Sequence, residues 1–339
     1  MRRIAVPLLT CALAVAGCST EKTSSTADES HRPLPATTIS VSRPPLPPVV
    51  QTDTQLPKLV GNFGTKPTIT VPKTAPSGKF VVAPTLTGNG PAVSNHDIAV
   101  INYTARAWKA GKDLPSTYGK SGKAGTPLVF TVGEGTVLPA LDRAVQGQRV
   151  GSRILVIAPP AAAYGTSGNP GIGVAPTETV VFAVDIVDTV DARATVKGRP
   201  HDAGEKLPGV RAESSTVSIS VPDTGAPKKP ASHRIIDGSG PSVRAGQTVV
   251  LRRAGAVWNA NRGKHEATLF DASWSTGPTP VVVGRDNLIK GLDRALVGVK
   301  VGSRLLIVVP PTLGYGSQDQ KGIPASSTLV FVVDVLAAA

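Results

Sequence analysis

The sequence predicts an α+β chain of two consecutive domains, each a strongly bent antiparallel β-sheet wrapped around one short helix. Three observations carry that reading. From Leu56 onward the chain repeats at a period of about 150 residues, which is too long for a solenoid unit and long enough for a domain. Glycine (35) and proline (31) are abundant and aromatics are only 4%, a balance that disfavours long helices and favours short strands joined by turns. The apolar segments are short, β-branched and stopped by Gly or Pro. A chain of 339 residues is long enough for each of two domains to bury its own core.

The repeat is clearest in one stretch. Residues 291–316, GLDRALVGVKVGSRLLIVVPPTLGYG, align without a gap on residues 140–165, ALDRAVQGQRVGSRILVIAPPAAAYG, with 14 of 26 positions identical. Leu56-Pro57 returns as Leu207-Pro208, Val71-Pro72 as Val221-Pro222, GNGP at 88–91 as GSGP at 238–241, and Trp108 as Trp258. This places one domain at 58–190 and a second at 208–339. The polar, Gly- and Pro-containing segment 191–207 reads as the linker between them.

Within each unit the elements follow in the same order. IAVINYTARAW (98–108) alternates and is β-branched, which reads as a strand. PLVFTVG (127–133) and PVVVG (280–284) read as strands ending in Gly. LDRAVQG and LDRALVG each make barely two helical turns, with Leu141 and Val145, or Leu292 and Leu296, on one face at i, i+4. RILVIAPP and RLLIVVPP are fully apolar strands stopped by proline, and TVVFAVDIVD (179–188) and TLVFVVDVL (328–336) close each unit.

The N-terminus carries an address. MRRIAVPLLTCALAVAGCS has a basic start (Arg2, Arg3), an apolar run too short to span a bilayer, and small residues just before Cys18. Val15-Ala16-Gly17-Cys18 resembles the bacterial lipobox, which implies cleavage after residue 17 and diacylglyceryl modification of the Cys18 thiol. The expectation is a signal peptide at 1–17, then a protein held by its lipid on the extracytoplasmic face of a bacterial cell membrane, each buried methylene contributing ~0.8 kcal/mol. Cys11 leaves with the signal, so Cys18 is the lone mature cysteine and no disulfide is expected. The Ser/Thr/Pro-rich stretch 18–57 reads as a tether, extended where proline is dense. The net charge of +13 would suit an anionic surface, or is scattered solubilising charge, since no block of five like charges occurs. Nucleic acid is not an expected partner at that location.

The residues from the first strand onward run V-h-x-Y-T, G-K, F-D-x-S, P-h-x-F, V-I-x-G-h-D-x-A-h-x-G-h-x-V-G, h-P-P, Y-G, I-P and T-L-V-F-x-V-D, with h any apolar residue. This order, present in two copies over about 95–188 and about 245–336, resembles FKBP-type peptidyl-prolyl isomerases. The resemblance implies a concave apolar pocket between sheet and helix that takes an X-Pro dipeptide, without metal or cofactor. It implies clients that are proline-containing polypeptides in or beyond the cell envelope, and a monomer is expected. Rotation about the imide bond meets a barrier of ~18–20 kcal/mol that comes from amide resonance. The twisted transition state has less charge separation than the planar amide, so an apolar pocket favours it.

Carried over residue by residue, the resemblance places Phe270 and Asp271 at the pocket Phe and Asp of domain two. Leu288 and Ile289 stand at the aliphatic pair whose second N–H holds a substrate carbonyl, and Tyr315 at the tyrosine that donates to the carbonyl before proline. Ile323 and Phe331 complete the wall. Tyr315, Asp271 and Phe270 are the expected catalytic set. Two positions depart from the pattern: Arg253 replaces the first-strand tyrosine if Trp258 sets the register, and Leu292 replaces the aromatic floor. Domain one keeps Tyr103, Val137, Leu138, Tyr164 and Phe182, has Leu141 as its floor, and reads Leu114-Pro115 where the Phe-Asp pair would be. Domain two is therefore the expected site of turnover.

Blander readings stand beside these. Tyr164, Tyr315, Phe182 and Phe331 could be core residues, and Asp271 a turn residue bonding its own backbone. Asp142-Arg143 and Asp293-Arg294 read as solvated helix charges, and Trp108 and Trp258 as strand packing. His31, His96, His201, His233 and His265 show no metal spacing. The alternative to catalysis is a module that binds proline-containing segments without turnover.

Overall fold

Two related six-stranded sheets are built by the two halves of the chain, in a computed structural model that describes residues 45–123 and 125–339. Cys18 and the signal sequence lie outside the described residues. Domain one uses β1 (Val49–Val50), β2 (Lys58–Val60), β3 (Thr68–Thr70), β4 (Phe80–Leu86), β5 (Ile98–Ala107), β6 (Leu128–Thr131), α1 (Pro139–Val145), β7 (Arg153–Ala158) and β8 (Val180–Val190). Its sheet runs β1-β4-β7-β8-β5-β6, while β2 and β3 pair as a separate antiparallel hairpin. Domain two repeats the plan with the hairpin β9 (Gly209–Ala212) and β10 (Val217–Ser220), followed by β11 (Ala231–Ile236) and β12 (Thr248–Val257). It continues through α2 (Trp258–Asn261), β13 (Leu269–Ala272), β14 (Thr279–Val282), α3 (Lys290–Leu296), β15 (Arg304–Val309) and β16 (Leu329–Ala338). Its sheet runs β11-β15-β16-β12, and both β13 and β14 pair with different stretches of β12. The α+β expectation holds, with the one-turn helix α2 as an addition.

The helix lies on the inner face of each sheet. Pro139 opens α1, where a missing N–H costs nothing. Ala140, Leu141, Ala144 and Val145 of α1, and Leu292 and Leu296 of α3, are buried against the sheets. The copies adjust to each other's side chains at this contact. Gly291 has no room for a Cβ, which would come within 2.5 Å of Val309. At the matching positions domain one has Ala140 and Ala158, so the methyl group moves from strand to helix.

The outer face of each sheet is covered too. Ile69, Leu59 and Val71 of the first hairpin region pack with Trp108, Leu155 and Ile157. Ile219, Val221 and Val210 do the same with Trp258, Leu306 and Val308. The indole nitrogens donate to the carbonyls of Thr74 (2.9 Å) and Thr224 (3.0 Å), so both tryptophans serve packing on the face away from the helix. Burial on both faces is why RILVIA and RLLIVV are apolar at nearly every position.

One charged rung per sheet interrupts that surface. Arg153 lies opposite Asp185 and Arg304 opposite Asp334, each pair buried and joined by two parallel hydrogen bonds of 2.6 and 2.7 Å. The remaining bonding capacity grips the N-terminal segment of each domain. Arg153 donates to the carbonyls of Gly61, Asn62 and Thr65, and Asp185 accepts from Gly64 N–H (2.8 Å) and the Tyr118 hydroxyl (2.6 Å). Asp334 accepts from Val196 N–H at 2.9 Å. Removing one partner of such a pair strands a buried charge at a cost of ~3–5 kcal/mol.

Three expectations need correction. The stretch 18–57 is not all tether, because Val49–Val50 adds a parallel strand to Phe80–Val81 and Val50 packs on the outer core. The segment 191–207 is not a loose linker: Val196 is buried, and His201 N–H bonds to Ile235 O at 2.7 Å. Asp293 is not solvated. It is buried, and its carboxylate accepts from Gly284 N–H (2.7 Å) and Asp286 N–H (3.2 Å), tying the turn before α3 to the helix. Asp142 does this more openly, accepting from Gly133 N–H at 2.8 Å.

Candidate functional site

In both domains the residues expected to line a pocket gather on the inner face, between the bent sheet, the helix entry and the loop after the Pro-Pro pair. In domain one, Leu141 and Phe182 are buried in one apolar cluster, with Tyr103, Val137, Leu138 and Tyr164 half-buried against it. Leu114, Leu128, Ile172 and Val174 join them. The Tyr103 ring meets Phe182 edge-on, centroids 6.1 Å apart. Burial pushes the Tyr103 hydroxyl above its ordinary pKa. Burial raises Tyr164 as well, and proximity to Tyr103 adds to it, so both phenols stay protonated and able to donate.

In domain two, Leu292, Ile323 and Phe331 are buried, and Phe270, Leu288, Ile289 and Leu313 pack against them. Phe270 meets Phe331 edge-on, with centroids 5.7 Å apart and planes at 87°. Tyr315 stands at the rim beside Leu288, Ile289 and Pro311 and is 36% exposed, unlike the half-buried Tyr164. Thus Tyr164 packs into the core edge while Tyr315 is available from solvent.

Arg253 occupies the rung of the first-strand tyrosine. It lies opposite Val333 as Tyr103 lies opposite Val184. Its Nε donates to the Asp271 carboxylate and its Nη1 to Thr279 Oγ1 at 3.1 Å. Asp271 sits on β13 rather than in a turn, and its carboxylate is already engaged. The sequence shows both residues but not their pairing. Only the strand register, with Gly255 opposite Asp271, brings them together.

Gly255 is a wall residue that sequence reasoning missed. A Cβ there would come within 2.5 Å of Phe270 and 2.9 Å of Phe331. Domain one has Ala105 at this rung, opposite Phe182, and Leu114 bonded back to it at 2.9 Å. The signal was in the sequence as a paired swap, Gly with Phe in one copy and Ala with Leu in the other.

The backbone supplies the remaining polar groups. Leu138 and Ile289 cap their helices with extended backbone, φ −57° and ψ 138° or 142°. Their carbonyls accept from within the helix. Among the described residues their N–H groups, and the Tyr164 and Tyr315 hydroxyls, have no protein partner. Each inner face therefore brings together buried aliphatic side chains, a buried phenylalanine and two donors without a partner among the described residues.

The wall geometry yields a stability test. Gly255→Ala should destabilise domain two by ~1–3 kcal/mol through overpacking against Phe270. Adding Phe270→Leu, which recreates the domain-one pair, should recover most of that loss. A urea-unfolding double-mutant cycle measures both, and additive losses would contradict this packing.

Comparison with known proteins agrees with the two-domain fold. A family model described as FKBP-type peptidyl-prolyl cis-trans isomerase matches residues 90–187 and 240–336. The rat protein "Peptidyl-prolyl cis-trans isomerase FKBP9" is 29% identical over 206 residues, 60% of this chain and 29% of that protein. The chain thus spans under a third of that relative's length. The "FK506-binding protein" of Streptomyces anulatus is 32% identical over 122 residues, 36% of this chain and 95% of that protein. The crystal structure of the 3 FKBP domains of wheat FKBP73 covers 76% of this chain and 94% of its own at 21% identity, with a TM-score of 0.30. Two tandem matches, together spanning more than half of the chain, make it a member of the FKBP-type peptidyl-prolyl cis-trans isomerase family.

Proposed function

We propose that the chain is a prolyl isomerase whose two inner-face recesses each take an X-Pro dipeptide of a polypeptide client. The observation that carries this reading is the pairing, in both domains, of a buried apolar cluster with a tyrosine hydroxyl and a helix-entry N–H that have no partner among the described residues. An X-Pro bond isomerises unaided in tens to hundreds of seconds. The apolar walls favour the twisted, less polar imide over the planar amide in water. Tyr315 or Tyr164 would hold the carbonyl before proline, and Ile289 or Leu138 N–H a carbonyl beyond it, keeping the twist in register. Turnover is assigned chiefly to domain two, with its Phe270–Phe331 wall and accessible Tyr315. There Arg253 fixes the Asp271 carboxylate at the wall.

A second reading has support of its own. The Arg253–Asp271 pair puts charge into the wall of domain two, and Leu141 and Leu292 leave both floors without an aromatic ring. Those features fit a module that binds proline-containing segments without turnover.

We also propose that the protein works outside the cytoplasm on secreted or envelope proteins, anchored through lipid on Cys18 after removal of residues 1–17. The lipobox-like Val15-Ala16-Gly17-Cys18 supports this.

A protease-free isomerisation assay on the full chain separates catalysis from binding. The parent should accelerate isomerisation, Tyr315→Phe and Asp271→Ala should each lower kcat/KM by about tenfold, roughly 1.4 kcal/mol in the barrier, and Tyr164→Phe should lower it less. No acceleration from a protein shown to be folded by circular dichroism would leave the binding module. For the anchor, Cys18→Ser should shift the protein from the membrane pellet to the soluble fraction of expressing cells. An unchanged pellet fraction would refute lipid attachment at that residue.

A further inference from the structure

The backbone of one residue at the junction is held from both sides. Ala192 lies just after β8, in a tight turn closed by Ala194 N–H to Asp191 O at 2.9 Å. Its N–H donates to Asp97 Oδ1 of domain one at 3.0 Å. Its carbonyl accepts from Arg252 Nη2 of domain two at 2.6 Å. Asp97 is itself held, because its other carboxylate oxygen accepts from Ser94 N–H at 2.8 Å and its carbonyl from Val132 N–H at 2.9 Å. Neither grip depends on a flexible surface side chain.

Arg252 is an unusual residue for its place. It is 1% exposed, on the outer face of β12, opposite Asp334, whose carboxylate is already taken by Arg304. Arg252 has no carboxylate bond of its own. It donates to three carbonyls, those of Ala192, Ser214 (2.8 Å) and Trp274 (3.2 Å), and its Nε has no partner. A buried guanidinium with that inventory strongly resists losing another acceptor. The fold does not require it: domain one has Asn102 at the same rung, opposite Asp185. Beside the turn, Ile98 and Val190 of domain one share an apolar cluster with Val250 and Ala337 of domain two.

We propose that the Ala192 backbone is the pin of a rigid joint, its N–H gripped by Asp97 on one side and its carbonyl by Arg252 on the other, so that the two domains move as one body and present their recesses at a set separation. Swinging the domains apart would leave Arg252 short of an acceptor or the Ala192 N–H without one. This inference concerns the joint and holds whether or not the recesses catalyse.

Double electron–electron resonance tests it on the full chain. Spin labels go on Arg143→Cys and Arg294→Cys, exposed matching positions on α1 and α3, with Cys11→Ser and Cys18→Ser removing the native thiols. The parent should give one narrow distance distribution. Arg252→Asn, which installs the residue that domain one carries at this rung, and Asp97→Ala should each broaden it at least twofold. A broad distribution in the parent, or unchanged widths in both variants, overturns the proposal. If Arg252→Asn does not fold, Asp97→Ala decides alone.

Discussion

Everything in each domain is arranged around one buried arginine–aspartate fork. Arg153–Asp185 and Arg304–Asp334 sit at the same rung of equivalent strands, on the face turned away from the helix. A fork buried that deeply is tolerable only if its remaining donors and acceptors are met. The chain meets them largely with backbone from outside each sheet: residues 61–65, between β2 and β3, in domain one, and Val196 with its neighbours in domain two. Once that segment is gripped, its hairpin lies over the tryptophan and closes the outer face. The sheet is then fixed from behind, and the inner face packs around the helix.

The two copies solve the same packing problem with different side chains. A glycine against the Phe270 ring in one domain is an alanine near Leu114 in the other, and Gly291 against Val309 becomes Ala140 against Ala158. In each exchange a gain on one side partly offsets a loss on the other, which cores tolerate better than a change on one side alone. The polar positions of the wall have not been conserved in that way. Where domain one places a phenol against a phenylalanine, domain two places an ion pair beside two phenylalanines. Divergence has kept the frame and varied the side chains of the inner face.

Most of the frame was legible in the sequence because it is written in local pattern. RILVIAPP and IAVINYTARAW announce strands by composition and by where they stop, and the repeat confirms each element with a second example. What was not legible depends on contacts between distant residues. Val49–Val50 is too short and too surrounded by proline to show a period, and becomes a strand only because β4 offers it an edge. The polar linker conceals Val196 and Ala192, whose backbone groups matter more than their side chains. Asp293 resembles any surface aspartate until the turn before the helix presents two unmatched N–H groups. At the site, the gathering of Leu288, Ile289, Phe331 and Tyr103 with their neighbours follows from motif order, whereas the engagement of Asp271 by Arg253 follows from register alone.

The central claim is that both recesses receive an X-Pro segment through the N–H groups at the helix entries. The most direct measurement is a titration of the isotope-labelled full chain with a short apolar X-Pro peptide, followed by amide chemical shifts. The account predicts that the Leu138 and Ile289 amides shift among the most strongly, together with residues around Tyr164 and Tyr315. Shifts confined to the outer-face hairpins, or no shift at either amide up to millimolar peptide, would contradict it.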